Sequence, residues 1–171
     1  MQSRVKKKDP PANDPTSTPQ SGRTKIDISL NDQRLTLLRD GEAVRSFPIS
    51  SSRFGIGTEE GSNKTPLGNF RIAQKIGHGA AHGTIFKSRV PLGPEDPLPE
   101  TEDFVTTRIL WLDGLDEENA NTRDRYIYIH GTRHEDRIGI PDSHGCIRMR
   151  NADVMELFEL VDETTQVVIR E

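Results

Sequence analysis

Hydrophobic and polar residues alternate along two early segments of the chain, which is the pattern of half-buried β-strands. Residues 26–30 have apolar side chains at every second position, and residues 35–37 repeat the pattern. An Asp-Gly pair at positions 40–41 is a strong signal for a two-residue hairpin turn, and residues 43–50 follow as a third strand. Because proline cannot donate to a strand ladder, Pro48 places this third strand at an edge or near its end.

Shorter apolar or β-branched runs predict four further strands. These runs lie at residues 70–73, 108–112, 126–129 and 167–169. The stretch 91–103 contains four prolines and five acidic residues without any periodicity. It therefore predicts a surface loop.

One segment near the end has the spacing of an amphipathic helix. Val154, Leu157, Phe158 and Val161 follow the i, i+3, i+4, i+7 pattern of a single buried face. Asn151 is expected to be the N-cap of this helix. The fold class expected from the pattern is mostly β, with one or two helices, one of them at about 151–161.

The first 24 residues differ in composition from the rest of the chain. They include three hydrophobic residues and four of the eleven prolines, so they cannot bury enough apolar surface to offset the entropy of ordering. We expect a disordered tail or linker at 1–24 and one domain at 25–171. The basic cluster at 4–8 is followed by Asp-Pro-Pro rather than by an apolar run, so no export signal is expected in this chain.

Overall composition excludes several classes of function. The 171 residues carry a formal net charge of −4, which argues against nucleic-acid binding because such proteins usually present a basic surface. No run approaches the roughly 20 apolar residues that span a bilayer, so no transmembrane segment is expected. Cys146 is the only cysteine, and an intramolecular disulfide is therefore impossible.

Three of the five histidines and the only cysteine lie within residues 126–149. A free thiol is mostly protonated at neutral pH, so a cysteine nucleophile needs an imidazole to accept its proton. His144 lies two residues before Cys146 and would share its face in an extended segment. His130 ends a predicted strand and could approach Cys146 from a neighbouring strand.

Two neighbours of the cysteine extend this interpretation. Gly145 has no Cβ, so the backbone around it can approach a substrate and direct amides at a developing oxyanion. Arg148 carries a guanidinium suited to binding a carboxylate. Together these groups favour acyl transfer on a peptide that bears a free carboxylate.

Two other interpretations of these residues stay open at this point. A lone cysteine is often a small buried hydrophobe. A zinc site is the second alternative. Two features argue against it: the spacing of its first two histidines suits a helix, whereas this segment is predicted to be a strand, and no second cysteine is present. Its ligands would be His130, His134, His144 and Cys146.

The motifs resemble those of a known family, the L,D-transpeptidases with a YkuD-type catalytic domain. HGT at 130–132 followed by SHGCIRM at 143–149 is similar to the family signature, and KTPLGNF at 64–70 is similar to its TPxGxF segment. The opening hairpin is also similar, so the resemblance covers about residues 25–170. It implies a β-sandwich or irregular barrel in which the cysteine lies between strands beneath a mobile lid.

The resemblance also implies a reaction and a set of residue roles. The reaction would be acyl transfer on peptidoglycan stem peptides, with a thioester at Cys146, release of D-alanine and transfer to an amine acceptor. His130 would be the general base, oriented by the carbonyl of Gly131. His144 would line the pocket, and the amides of His144, Gly145 and Cys146 would form the oxyanion hole. Arg148, Ser143 and Thr132 would bind the substrate.

Several features remain open within the resemblance. Water in place of the amine would make the protein an L,D-carboxypeptidase or endopeptidase, and a non-catalytic wall-binding domain is a further alternative. The charged segments 86–104 and 115–125 are both candidates for the lid. No cofactor and no required metal are expected, the oligomeric state is not indicated, and the family implies the periplasm or cell envelope.

Overall fold

The computed structural model describes residues 23–171, and its main feature is one ten-stranded β-sheet that does not close into a barrel. The predicted tail lies almost wholly in residues 1–22, outside the described residues. The strands are β1 Thr24–Ser29, β2 Arg34–Arg39, β3 Glu42–Pro48, β4 Gly68–Ile76, β5 Ile85–Lys87, β6 Val90–Pro91, β7 Val105–Gly114, β8 Tyr128–Gly131, β9 Ile147–Met149 and β10 Gln166–Arg170. The helices are α1, Asn151–Leu160, and a 3₁₀ turn at Glu135–Arg137.

The sheet follows the order β3-β2-β1-β10-β4-β7-β5-β6, with β8 on β7 and β9 on β8. Two of its pairings, β1 with β10 and β8 with β9, are parallel, and the others are antiparallel. The predicted class, mostly β with one or two helices, is confirmed.

The predicted opening hairpin is confirmed. β2 and β3 are joined at Asp40 and Gly41, whose φ angles of 52° and 81° are both positive, as a type I′ turn requires. Pro48 ends β3, which forms an edge of the sheet and exposes most of its side chains.

No local pattern in the sequence predicts the short hairpin of β5 and β6. Its turn residues, Ser88 and Arg89, have φ angles of 47° and 66°. Neither is a glycine or asparagine, the residues that usually mark left-handed backbone. The predicted loop at 91–103 is observed as residues 92–104, between the end of β6 and the start of β7.

The helix is confirmed, but the N-cap prediction is wrong. Arg150 occupies the N-cap position without a side-chain capping bond, and Asn151 is the first helical residue. The Asn151 side chain turns into the protein because it finds several hydrogen bonds there in place of one capping bond. It bonds to the hydroxyls of Thr106 and Thr107, to the backbone carbonyl of Thr132 and to the carboxylate of Glu135.

The main core lies between α1 and the central strands. Side chains from β1, β2, β3, β4, β7, β8, β9 and β10 form it with the buried face of α1, residues Val154, Leu157 and Phe158. A smaller apolar cluster of Phe86, Ile109 and Tyr128 packs against Cys146. No helix in residues 23–171 is long and apolar enough to cross a membrane.

Burial of the β7 side chains should contribute strongly to stability. Leu112 is fully buried in the main core, so Leu112→Ala should lower the free energy of unfolding by ~2–5 kcal/mol. The measurement is urea denaturation followed by circular dichroism. Leu98→Ala is the matched control, because Leu98 is 61% exposed, and its effect should stay within ~0.5 kcal/mol. Equal losses in the two variants would contradict this assignment of the core.

Candidate active site

The parallel pairing of β8 with β9 brings the predicted chemical residues to one face of the sheet. Ile129 pairs with Ile147, and His130 pairs with Arg148. Paired residues point to the same face and successive residues alternate, so Cys146 shares the face of His130 and Arg148. The two isoleucines point the opposite way, into the main core.

Cys146 is held by backbone groups of the segment that leads into β8. Its Sγ accepts the N–H of Tyr128 at 3.3 Å, and its S–H donates to the carbonyl of Tyr126 at 3.3 Å. The pKa of the Cys146 thiol is raised to about 12, mainly by burial; the Tyr128 N–H bond acts to lower it and the Asp103 carboxylate to raise it. The resting thiol is therefore uncharged at neutral pH.

His130 is almost fully buried, with 1% of its surface exposed. Its Nδ1 lies 2.5 Å from the carbonyl oxygen of Gly131. A carbonyl only accepts, so Nδ1 carries the proton and Nε2 has the free lone pair. Burial lowers the pKa of His130, although Asp103 and the bond to Gly131 act in the opposite direction. The imidazole is thus neutral at neutral pH and able to accept a proton.

The turn before Cys146 is fixed by Ser143 and by the KTPLGNF segment. The fully buried Ser143 donates its hydroxyl to the Cys146 carbonyl at 2.6 Å and accepts the Gly145 amide at 3.2 Å. Gly145 has a φ of +121°, and a Cβ there would lie 3.2 Å from the carbonyl oxygen of Lys64. Thr65 donates its hydroxyl to the Gly145 carbonyl at 3.0 Å. The backbone angle therefore favours glycine at 145, and the close approach leaves little room for a side chain.

The three amides expected to bind an oxyanion differ in their availability. The Gly145 N–H is already bonded to the Ser143 hydroxyl. The amides of His144 and Cys146 donate to no group in the described part of the chain. Two of the three donors are therefore free to bind a substrate oxygen.

The segment that carries His130 is held from behind by Asn151. A Cβ on Gly131 would meet the Asn151 Oδ1 at 2.5 Å and the Thr106 carbonyl oxygen at 2.7 Å. Asn151 also donates from Nδ2 to the Thr132 carbonyl at 2.8 Å. Thr132 itself is fully buried, and its hydroxyl accepts the His134 N–H at 3.0 Å. The described contacts of Thr132, like those of Ser143, are therefore internal to the protein.

Arg148 is 2% exposed and lies between two carboxylates. Its guanidinium is 2.8 Å from Asp103 and 2.8 Å from Asp142. Asp103 comes from loop 92–104, and Asp142 precedes the Ser143 turn. Neither partner could be predicted from the sequence, because an ion pair between distant segments leaves no local pattern.

His144 lies at the edge of the site, beside an open cavity. Its Nδ1 is 3.7 Å from Asp103, and its Nε2 accepts from Arg53 at 3.2 Å. The cavity, of about 550 Å³, is also lined by Arg133 and Arg148. Ligands could therefore approach the cysteine turn from this side.

The residues of the zinc alternative do not assemble into a metal site. Within residues 23–171 no three His, Cys, Asp or Glu side chains come close enough together to hold a metal ion. Cys146 contacts backbone groups and apolar side chains.

Comparison with known proteins decides the family. The model of YkuD, the L,D-transpeptidase catalytic domain, matches residues 23–169. The chain belongs to the L,D-transpeptidase catalytic domain family. Bacillus subtilis YqjB, named as an L,D-transpeptidase, is 31% identical over 118 residues, which cover 68% of this chain and 57% of YqjB.

Other L,D-transpeptidases agree with this assignment. YkuD of Bacillus subtilis is 28% identical over 84% of this chain and 64% of its own length. The fold is similar to that of L,D-transpeptidase 3 from Mycobacterium tuberculosis, which was solved with a faropenem-derived adduct. The TM-score is 0.57 at 19% sequence identity, and the match covers 88% of this chain and 61% of that one. The chain thus spans less than two thirds of the length of these L,D-transpeptidases.

The raised thiol pKa predicts how Cys146 responds to pH. Its rate of alkylation by iodoacetamide should rise about tenfold for each pH unit from 7 to 10, because the thiolate fraction rises in this way below the pKa. Mass spectrometry follows the rate at this single cysteine. The control is the same chain unfolded in urea, whose rate should level off near an ordinary thiol pKa of ~8.5. A plateau below pH 8 in the folded protein would contradict the uncharged resting thiol.

Proposed function

We propose that the protein is a cysteine acyltransferase that acts on peptidoglycan stem peptides as an L,D-transpeptidase. The observation that carries the proposal is the common face of His130, on β8, and Cys146, directly before β9, in a chain of this family. The neutral imidazole with a free Nε2 suits a general base, and the uncharged thiol requires one.

The first half-reaction forms a thioester. Nε2 of His130 takes the thiol proton as Sγ of Cys146 bonds to the carbonyl carbon before a terminal D-alanine. The free amides of His144 and Cys146 donate to the oxygen that becomes negative. Collapse breaks the C–N bond, and the departing D-alanine amine receives the proton from His130.

The second half-reaction transfers the acyl group to an amine. His130 accepts a proton from the attacking amine, the new C–N bond forms, and the thiol leaves with the proton returned to Sγ. Water in place of the amine would give hydrolysis and a carboxypeptidase. The identity of the acceptor therefore defines the product.

The remaining site residues take supporting roles in this proposal. Arg148 binds a carboxylate of the peptide, as its guanidinium chemistry allows. Ser143 and Thr132 shape the backbone on which the reactive groups stand rather than contacting the substrate with their side chains. A peptidoglycan substrate implies that the protein acts in the cell envelope.

A disaccharide-tetrapeptide assay tests the reaction and the base. With an amine acceptor, the wild-type chain should release D-alanine and yield a cross-linked product, measured by liquid chromatography and mass spectrometry. Cys146→Ala should abolish D-alanine release, and His130→Ala should slow it at least ~100-fold because a general base is lost.

The control for that assay is His82→Ala, since His82 is exposed on the loop between β4 and β5. This variant should retain the wild-type rate. If tripeptide is the only product, the protein hydrolyses the thioester instead of transferring the acyl group to an amine. Undiminished activity of Cys146→Ala would rule out the cysteine mechanism altogether.

A β-lactam adduct offers a second test of Cys146 as the nucleophile. The Mycobacterium tuberculosis relative was solved with a faropenem-derived adduct, and we expect faropenem to add covalently to Cys146 in this chain. Intact-mass measurement should show the increase in the wild type and in His82→Ala but not in Cys146→Ala. An unmodified mass of the folded wild-type chain after prolonged exposure would count against a reactive thiol.

A further inference from the structure

In the structure, a carboxylate of the protein itself, that of Asp103, binds the Arg148 guanidinium, which we propose binds the substrate carboxylate. Asp103 Oδ2 lies 2.8 Å from Nη2 of Arg148, and the Asp103 side chain is only 12% exposed. The same oxygen is 3.7 Å from the His144 imidazole. Asp103 therefore reaches the same face of the sheet as Cys146.

The pairing of Asp103 with Arg148 is incomplete. Oδ1 of Asp103 and Nε of Arg148 are both buried, and neither has a hydrogen-bond partner among residues 23–171. Arginine binds carboxylates best through two parallel hydrogen bonds, and a buried polar atom without a partner weakens the arrangement that contains it. A carboxylate that used both oxygens on this guanidinium would pair better than Asp103 does.

The loop that delivers Asp103 is attached through few contacts. Residues 92–104 lie between β6 and β7, outside the ladder of the sheet, and most of their side chains are exposed. Its two ends are held: the Leu92 N–H donates to the Ile85 carbonyl at 2.8 Å, and Phe104 is buried. Besides these contacts and the Asp103 ion pair, the carbonyl of Glu102 accepts from His134 Nε2 at 2.7 Å, and Arg133 lies 4.6 Å above the Phe104 ring. A segment with so few buried contacts can open locally while the sheet stays intact.

We propose that Asp103 is a specificity-determining residue that holds the place of the substrate carboxylate on Arg148. A ligand with its own carboxylate exchanges with Asp103 and keeps the buried guanidinium paired. A neutral ligand would leave that charge with one partner fewer, which is costly at a buried site. The inference rests on the proposed role of Arg148 and extends it, because it makes a free carboxylate the condition for entry.

The test uses two alkylating reagents of the same shape and different charge. Bromoacetyl-glycine carries a carboxylate, bromoacetyl-glycinamide does not, and Cys146 is the only thiol in this chain that either reagent can alkylate. The measured quantity is the ratio of the two alkylation rates at pH 8, because a ratio cancels any general change in thiol reactivity. Asp103→Asn should raise this ratio in favour of the carboxylate about tenfold, the scale of one charge-assisted hydrogen bond.

Three variants control the measurement. Asp142→Asn removes a charge from the other side of the same guanidinium but leaves Asp103 in place, so its ratio should stay within about twofold of wild type. Asp103→Glu keeps the charge and should keep the wild-type ratio. Arg148→Gln combined with Asp103→Asn should abolish the gain. Asp103→Ser, which also removes the charge, takes the place of the Asn variant if circular dichroism shows that the latter is unfolded.

The outcomes separate this inference from the proposed function. If Asp103→Asn speeds both reagents equally, the carboxylate acts on the thiol alone and the inference is wrong. If it slows both, Asp103 positions the site and the inference is also wrong. A raised ratio supports the inference even if the tetrapeptide is not turned over, since no peptide chemistry enters the measurement.

Discussion

The parallel pairing of β8 with β9 is the constraint on which the rest of the site depends. It places Cys146 and His130, sixteen residues apart, on one face, while Ile129 and Ile147 point into the main core. A shift of the register by one residue would turn the cysteine away from the histidine and expose an isoleucine. Hydrophobic burial on one side of the sheet therefore fixes the chemical geometry on the other.

Close backbone packing then limits which residues can occupy the site. Gly131 has no room for a Cβ against Asn151 and the neighbouring strand, and Gly145 combines a positive φ with a carbonyl close by. The side chains that fix the two glycine segments, Asn151 and Thr65, are both buried. Such support costs no reorganisation during reaction, which is why preorganised amides stabilise charge effectively.

Local patterns predicted the hairpin and the helix, and they placed His130 at the end of a strand from which it could approach Cys146. The patterns failed where long-range contacts prevail. Asn151 fits the local rule for an N-cap, but the bonds available in the interior outweigh a single capping bond. Asp103 lies in a loop without periodicity, and its pairing with Arg148 depends on the three-dimensional path of that loop. Side-chain alternation survives folding because it reflects core packing, whereas an ion pair across the sheet has no sequence period.

The charges of the site also follow from burial. Burial alone disfavours both a thiolate at Cys146 and an imidazolium at His130, so the resting pair is uncharged. Arg148 is a buried cation on that face, and two carboxylates already compensate it. In the mechanism we propose, charge separation in the thiol–imidazole pair coincides with attack, when the free amides gain an oxyanion to bind. A carboxylate that replaces Asp103 on Arg148 preserves this balance, since it brings one negative charge as another leaves.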